Sequence, residues 1–188
     1  MTSNTQERLN KIKDKVKDPD FLACKNLGGD ISYHIFDYPP EDELDVREGL
    51  KLTLSSLQKS GVTVQVINIF ELVLDMLKDK KLLAKVINIE QTQGSEKMLS
   101  KLKPMIKKEK IAKEITRRVE ATSQAIFLTG IGSVYPLIRS HEILNNLHAY
   151  VDDKPLVVFF PGKYDMQSLK LFNCLADNNY YRAFKLVP

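Results

Sequence analysis

The sequence is short of the features that mark a membrane-inserted or disulfide-bonded protein. No apolar run in its 188 residues approaches the roughly 20 residues that a helix needs to cross a bilayer. The opening residues 1–18 are polar and charged, without the apolar stretch of a signal peptide. The two cysteines, Cys24 and Cys174, form no CxxC pair. We therefore expect reduced thiols, no bound metal and a cytoplasmic protein.

Motifs for nucleotide hydrolysis are missing as well. The pattern GxxxxGK[ST], whose backbone N–H groups cradle phosphate, is absent from the chain. The loop after the first predicted strand, residues 37–43, has two prolines in place of N–H donors and four acids that repel phosphate. Neither of the apolar strands at 125–129 and 156–160 ends in an acid that would hold magnesium. We therefore expect no nucleotide hydrolysis, no cofactor and no enzymatic activity.

Positive charge is concentrated in one segment. Residues 97–118 hold nine Lys and Arg against two acids, although the net charge of the chain is only +4. The apolar positions fall out of helical register between Ile106 and Ile111, which predicts two helices, or one kinked helix, bent near 107–110. Such a segment is most often a solvated helix face. The alternative function is weak, non-specific contact with nucleic-acid phosphates through Lys107, Lys108, Lys110, Lys113 and Arg117.

Strand and helix patterns alternate along the chain. Runs of β-branched or continuously apolar residues predict five strands, at 31–38, 62–69, 125–130, 155–162 and 180–187. Helical spacing predicts helices at 5–17, 41–59, 70–90 (one or two helices), 97–118, 137–149 and 168–176, with a loop at 91–95. The alternation is typical of a single α/β domain spanning 1–188, in which 1–20 form an N-terminal helix and linker. We expect a mainly parallel five-stranded sheet with helices on both faces, Rossmann-like or P-loop-like but lacking a Walker A motif.

The densest polar groups follow the strand at 125–130. Thr129, Gly130 and Gly132 lie at its carboxyl end, where open α/β sheets place their ligand crevices. The glycines suit either a pocket for a ligand or partner side chain, or a tight strand-to-helix connection. His141 and Asn145 are four positions apart and share a helix face. Neither a nucleophile nor metal-ligand spacing accompanies any of the three histidines.

Seven short pieces stand in order in the C-terminal third of the chain. They are Thr129-Gly130-x-Gly132, Tyr135-Pro136, Ile138-Arg139-Ser140-His141, Leu144-Asn145-Asn146-Leu147, Phe160-Pro161-Gly162, Leu171-Phe172 and Tyr180-Tyr181-Arg182-Ala183-Phe184. In their order and spacing they resemble the BrxB family, a small component of bacterial BREX phage-exclusion systems. The N-terminal two thirds of the chain fit that family in length and element order.

The resemblance implies a role in phage defence and supplies no catalytic mechanism. The family works beside PglZ, a large protein with an alkaline-phosphatase-like domain, and beside a DNA methyltransferase and large ATPases. The first hypothesis is thus a non-enzymatic interaction component that binds PglZ. A nucleic-acid-binding module is the second, although residues 97–118 lack aromatics to stack on bases. The third and weakest hypothesis is a degenerate or unrecognised nucleotide enzyme that uses residues 129–133.

We expect the partner to dock at the carboxyl edge of the sheet, where strand-to-helix loops meet. Arg139 is the preferred anchor, because a planar cation makes paired hydrogen bonds to a carboxylate. Alternation over residues 180–184 puts tyrosine, arginine and phenylalanine on one strand face, which is either a second docking patch or core. The candidate docking residues are Thr129, Gly130, Gly132, Tyr135, Arg139, His141, Asn145, Gly162, Tyr181 and Arg182.

Overall fold

The structure is a computed structural model that describes residues 3–25, 33–106, 108–147, 154–177 and 183–188. Helices in the first half of the chain are α1 (Ser3–Lys17), α2 (Pro19–Leu22), α3 (Glu43–Lys59) and α4 (Ile69–Asp79). Helices in the second half are α5 (Leu83–Gln93), α6 (Ser95–Leu102), α7 (Lys108–Arg118), α8 (Ile131–Val134) and α9 (Ser140–Leu147). The strands are β1 (Tyr33–Tyr38), β2 (Val64–Asn68), β3 (Ala125–Thr129), β4 (Leu156–Tyr164), β5 (Leu169–Leu171), β6 (Leu175–Asp177) and β7 (Phe184–Lys185).

Local sequence explains where several helices begin and end. Pro19 stops α1, because its ring disfavours helical geometry in the preceding residue. Glu43 and Asp45 in the first turn of α3 complement the positive end of the helix dipole. Asn68 caps α4, since its side-chain oxygen accepts the backbone N–H groups of the next turn. A 3-10 turn over Lys103–Met105 separates α6 from α7, so two helices form, as predicted, but the break comes before the predicted bend at 107–110.

The central sheet is parallel, with strand order β2-β3-β4-β1-β7. Val64 to Asn68 of β2 pair with Ala125 to Thr129 of β3, and all of β1 pairs with β4. This confirms the predicted α/β fold class and its mainly parallel sheet. β4 continues past the sheet and pairs antiparallel with β5, which in turn pairs with β6.

Helices cover both faces of the sheet, as predicted. Alternate residues of each strand point to opposite cores, so that Phe127 lies in one hydrophobic cluster and Leu128 in the other. Helices α1, α2 and α3 cover the face that carries Phe127, where its ring packs on Phe159 at 5.3 Å between centroids. Helices α4, α7, α8 and α9 contribute to the opposite core, and apolar residues of α5 and α6 pack against it.

Several elements differ from the sequence prediction. The predicted helix at 168–176 is wrong: this segment is the β5–β6 hairpin, in which Leu169 and Leu171 are buried and Lys170 is exposed. The predicted loop at 91–95 is also wrong, because helix runs on either side of Gly94, whose φ of +83° makes the break. Helix α9 begins at Ser140 instead of 137. Residues 31–32 and 180–182 of the predicted end strands lie outside the described residues.

Candidate functional site

The carboxyl ends of four parallel strands meet at one edge of the sheet. Tyr38 of β1 lies beside Pro161 of β4, and Asn68 of β2 beside Thr129 of β3. β3 and β4 are direct neighbours, with Leu128 opposite Val158. The residues that follow β3 therefore lie next to the point where β4 leaves the sheet. We call this region the carboxyl edge.

The glycines at the carboxyl edge are required by close packing. Gly130 has φ +76°, and a Cβ there would overlap the side-chain oxygen of Asn68. That oxygen accepts the backbone N–H of Phe70 at 3.0 Å. Gly162 lies inside β4 and not in a loop after the strand. A Cβ at this position would overlap the carbonyl oxygen of Lys170. Of the two interpretations left open, the tight strand-to-helix connection is the one that this packing supports.

An exposed aromatic pair stands on the carboxyl edge. The side chains of Phe172 and Pro161 both approach Gly132 closely. A Cβ added to Gly132 would lie 2.9 Å from each of them. The ring of Tyr135 meets that of Phe172 edge-on, with centroids 6.3 Å apart and an angle of 84°. Tyr135 is 37% exposed and Phe172 is 36% exposed. The pair thus presents two rings to solvent on a support of glycine and proline.

Phe172 holds an unusual backbone conformation. Phe172 and Asn173 have φ of +53° and +60°, and the N–H of Cys174 donates to the carbonyl of Leu171 at 3.2 Å. Three residues, 172–174, connect β5 to β6, and the first two have the left-handed backbone conformation that Gly, Asn and Asp adopt most readily. A bulky residue at the first position costs about 1–2 kcal/mol relative to an ordinary backbone conformation. Sequence analysis singled out Phe172 only within the Leu171-Phe172 piece, because the turn lacks the glycine that predicts a tight hairpin.

A chain of polar contacts connects β1 and α3 to α8. The Tyr38 hydroxyl donates to Glu43 Oε2 at 2.5 Å, and Arg47 Nε donates to Glu43 Oε1 at 2.7 Å. Arg47 also donates to the Ser133 hydroxyl at 3.1 Å. Burial, and then the negative charge of Glu43, raise the pKa of Tyr38 well above its ordinary value of 10, so the phenol remains a donor. Sequence reasoning missed this chain, because Arg47 and Ser133 are 86 positions apart.

Arg139 lies on the solvent side of the α8–α9 connection. Its backbone N–H donates to Glu142 Oε2 at 2.9 Å, which caps α9, and its side chain is exposed. With Lys103, Glu142 and Ile138 it lines a crevice of about 200 Å³ between this connection and the α6–α7 connection. The other predicted residues of this region, His141 and Asn145, both lie in α9. Tyr181 and Arg182 lie outside the described residues.

A buried charged network lies beside the same edge, at the end of β1. Asp37 is 6% exposed and accepts from Arg8 at 2.7 Å, Lys185 at 3.1 Å and the Tyr164 backbone N–H at 3.0 Å. Burial alone would raise the pKa of Asp37, but these hydrogen bonds and the Lys185 charge outweigh it and lower that pKa. Arg8 donates further to the carbonyl of Val187. The network fixes the first helix and the chain end to the sheet, which is a structural task.

The basic segment forms α6, the 3-10 turn and α7. Lys110 and Lys113 are exposed on α7. Arg117 is paired with Glu114 at 2.6 Å, and Arg118 bridges Glu114 and Asp75. Lys107 lies outside the described residues, and Lys108 is the first residue of α7. Four of the five candidate phosphate contacts therefore lie on α7, and one of these, Arg117, already has an acidic partner.

Two further observations concern the described ranges as a whole. They contain no group of three or more His, Cys, Asp or Glu arranged to hold a metal ion. No helix within them combines the length and the apolar character that spanning a membrane requires.

Fold and site together define a class of protein. It is a mainly parallel α/β domain whose carboxyl edge carries tight glycine turns and exposed aromatic rings, at the edge where nucleotide-binding domains of similar architecture bind phosphate. Residues 65–186 match the family model described as BREX protein BrxB. A BREX protein BrxB of Bacillus cereus (strain H3081.97) is 41% identical over 186 residues, which is 96% of either chain. A BREX protein BrxB of Escherichia coli O9:H4 (strain HS) is 36% identical over 182 residues, covering 96% of this chain and 90% of its own.

The chain therefore belongs to the BrxB family and is a component of a BREX phage-defence system. This agrees with the resemblance seen in the C-terminal third. The similarity extends through the N-terminal part of the chain as well, which the sequence pieces alone did not establish. No solved structure matches the chain.

Proposed function

We propose that the chain is a non-enzymatic, cytoplasmic interaction component of its BREX system, and that it binds a PglZ-type partner through the carboxyl edge. Membership of the BrxB family is the reason for assigning the chain to a BREX system. The choice of surface rests on one observation, which is the exposed ring of Phe172 in a left-handed backbone conformation.

Folding stability alone does not account for a phenylalanine at this position. The conformation costs about 1–2 kcal/mol that Gly or Asn would avoid. The ring remains 36% exposed, so it recovers only part of the free energy that full burial would provide. Strained residues of this kind cluster at binding and catalytic sites, where another molecule completes their packing. A partner that covers the ring would complete the burial.

The surroundings of Phe172 have the composition of an interface centre. Aromatic rings and arginine contribute most of the binding energy in protein interfaces, and a polar rim surrounds them. Tyr135 supplies the second ring, and Arg47 and Arg139 lie on the flanking elements with exposed side chains. The guanidinium of Arg139 can meet a carboxylate of the partner, whereas that of Arg47 is already paired with Glu43.

The test is copurification with a tagged PglZ-type protein encoded in the same BREX system. Phe172→Asn removes the ring and keeps a residue that tolerates positive φ. Met166→Asn is the matched control, since Met166 is also exposed, also has positive φ (+76°) and precedes β5 where Phe172 follows it. We expect the wild type and the control to copurify with the partner, and Phe172→Asn to be lost or strongly reduced. Equal recovery of Phe172→Asn contradicts the proposed surface, and no recovery of the wild type contradicts the proposed partner.

Weak contact with DNA through α7 is a second proposal. Lys110 and Lys113 are exposed there, and each neutralised phosphate adds to a salt-sensitive, sequence-independent attraction. A contact of this kind would accompany docking on the partner.

A further inference from the structure

A second surface, separate from the carboxyl edge, lies on the α5–α6 hairpin. The two helices meet at Gly94, and a groove of about 130 Å³ lies between them. Both walls have the same spacing, in which three apolar residues stand at i, i+4 and i+7, with Leu82 at the N-cap of α5 and Met105 in the 3-10 turn after α6. The walls consist of Leu82, Val86 and Ile89 on one side and Met98, Leu102 and Met105 on the other.

The groove is apolar and partly open, since Met105 is exposed and Leu102 is buried. No residue of α5 is fully buried, and Met105 is 42% exposed. Open apolar surface with a polar rim marks interaction sites on soluble domains. Two of the five methionines of the chain line this groove. Methionine is unbranched and polarisable, so it adapts its packing to the shape of a partner.

The rim of the groove is positively charged. Lys85 and Lys101 line it, and each occupies the i+3 position of its wall. Lys101 donates to Gln93 Oε1 at 2.8 Å, and neither ammonium group forms an ion pair within the part of the chain that the structure describes. The surrounding segment 78–118 holds thirteen Lys and Arg against five acids. An occupant with apolar side chains and neighbouring carboxylates would complement both features.

We infer that this groove binds an amphipathic α-helix of another protein, with apolar side chains on one face and acidic residues beside them. A helix laid in a groove between two helices is a recurrent mode of peptide recognition, with anchors at i, i+3, i+4 and i+7. DNA is a poorer occupant, because six apolar side chains offer nothing to phosphate or to base edges. Neither Phe172 nor Tyr135 lines this groove.

The probe is a synthetic helical peptide of about 18 residues, long enough to hold helical structure in water. It carries leucines on one face, glutamates flanking them and alanine elsewhere. One control peptide has the same composition with the leucines dispersed, and the other has lysine in place of glutamate. Fluorescence anisotropy with the full chain measures the affinity of each peptide. Methyl NMR of the methionines locates the site, with Met98 and Met105 in the groove and Met166 outside it.

We expect the leucine–glutamate peptide to bind at least about tenfold more tightly than either control, since loss of an anchor or of charge complementarity typically has that effect. Met105→Asp and Lys101→Glu should each weaken it to a similar extent, while Met166→Asp and Phe172→Asn leave it unchanged. The Met98 and Met105 methyl signals should shift, and the Met166 signal should not. Equal affinity for the three peptides, or binding that survives Met105→Asp, overturns the inference. Binding of duplex DNA that is lost with Lys101→Glu but retained with Met105→Asp overturns it in favour of a phosphate surface.

Discussion

Phe172 is a bulky residue in a backbone conformation that favours glycine. Glycine has no Cβ and would adopt φ +53° at position 172 without strain. Alanine has a Cβ and would be strained there as phenylalanine is. We therefore expect Phe172→Gly to be more stable than Phe172→Ala by about 1 kcal/mol in urea denaturation, the reverse of the usual order.

Leu52 provides the control for that comparison. It is exposed in the middle of α3, where glycine is less favourable than alanine, so Leu52→Gly should be less stable than Leu52→Ala by about 1 kcal/mol. If glycine is the less stable substitution at both positions, Phe172 is not strained and the argument for the docking surface loses its basis.

Arg139 is the second residue for which a specific effect is expected. Its guanidinium is exposed at the start of α9 and contributes little to the fold. Arg139→Ala should weaken binding of the PglZ-type partner by about 1–3 kcal/mol if the guanidinium pairs with a buried carboxylate there. Isothermal titration measures this, with Lys59→Ala, an exposed cation in the last turn of α3, as the control.

Thermal melting of Arg139→Ala separates the two roles this residue can have. An unchanged melting temperature with reduced affinity supports docking. Unchanged affinity rejects the docking role, and a large fall in melting temperature would show that Arg139 is structural.

At the scale of elements, Asp37 connects α1, β1, β4 and β7. Because its pKa in the folded state lies below that of the unfolded chain, about 3.9, its contribution is fully present above that pH. The contribution is lost as the pH falls through the folded pKa. We expect Asp37→Asn to cost about 3 kcal/mol near neutral pH, since it leaves Arg8 and Lys185 without their charge partner.

Urea denaturation as a function of pH tests this prediction. The stability of the wild type should fall below about pH 4, and that of Asp37→Asn should fall less steeply there. Asp14 is an exposed carboxylate of α1 and serves as the control. Asp14→Asn should have the stability of the wild type at neutral pH and the same loss of stability below about pH 4. Equal slopes for Asp37→Asn and wild type would contradict the assigned role.

The basic segment is an element with a modest predicted function. We expect any DNA binding to be weak and non-specific, with each phosphate contact adding about 0.9 to the log–log salt dependence. Replacing Lys107, Lys108 and Lys110 by glutamate should abolish it in a salt-titrated anisotropy assay, while Lys59→Glu should have little effect. Sequence-specific binding that survives the triple substitution would refute this expectation.

Elements were predictable where periodicity was long enough. β2 and β3 are β-branched or apolar runs between turn residues, and both are parallel strands in the structure. The β5–β6 hairpin was not predictable, because three residues such as Leu169–Leu171 contain too little alternation to distinguish strand from helix. Phe172-Asn173 also lacks the glycine that normally identifies such a turn.

The candidate site was partly predictable for the same reason. Tyr135 and Arg139 follow β3 directly, so chain order places them at the carboxyl edge. The packing of Phe172 on Gly132 depends on β4 continuing past the sheet and returning as β5, and no local pattern encodes that path. The contact between Arg47 and Ser133 likewise exists only in the folded chain.

At the scale of the whole molecule, we propose two separate binding surfaces. The carboxyl edge presents Tyr135 and Phe172 on a support of tight turns, and the α5–α6 hairpin presents a partly open apolar groove with a basic rim. Helices cover both faces of the sheet. The proposed interaction surfaces therefore lie at the carboxyl edge and on the α5–α6 hairpin. This arrangement suits a component that joins others within one BREX system.

The central claim is that the carboxyl edge meets the PglZ-type partner. Hydrogen–deuterium exchange of the chain, alone and in complex, measures this directly, because amides covered by a partner exchange more slowly. The account predicts slower exchange in the complex at residues 130–136 and 171–174. Protection confined to the α5–α6 hairpin, or a complex that leaves residues 171–174 unchanged, would contradict it.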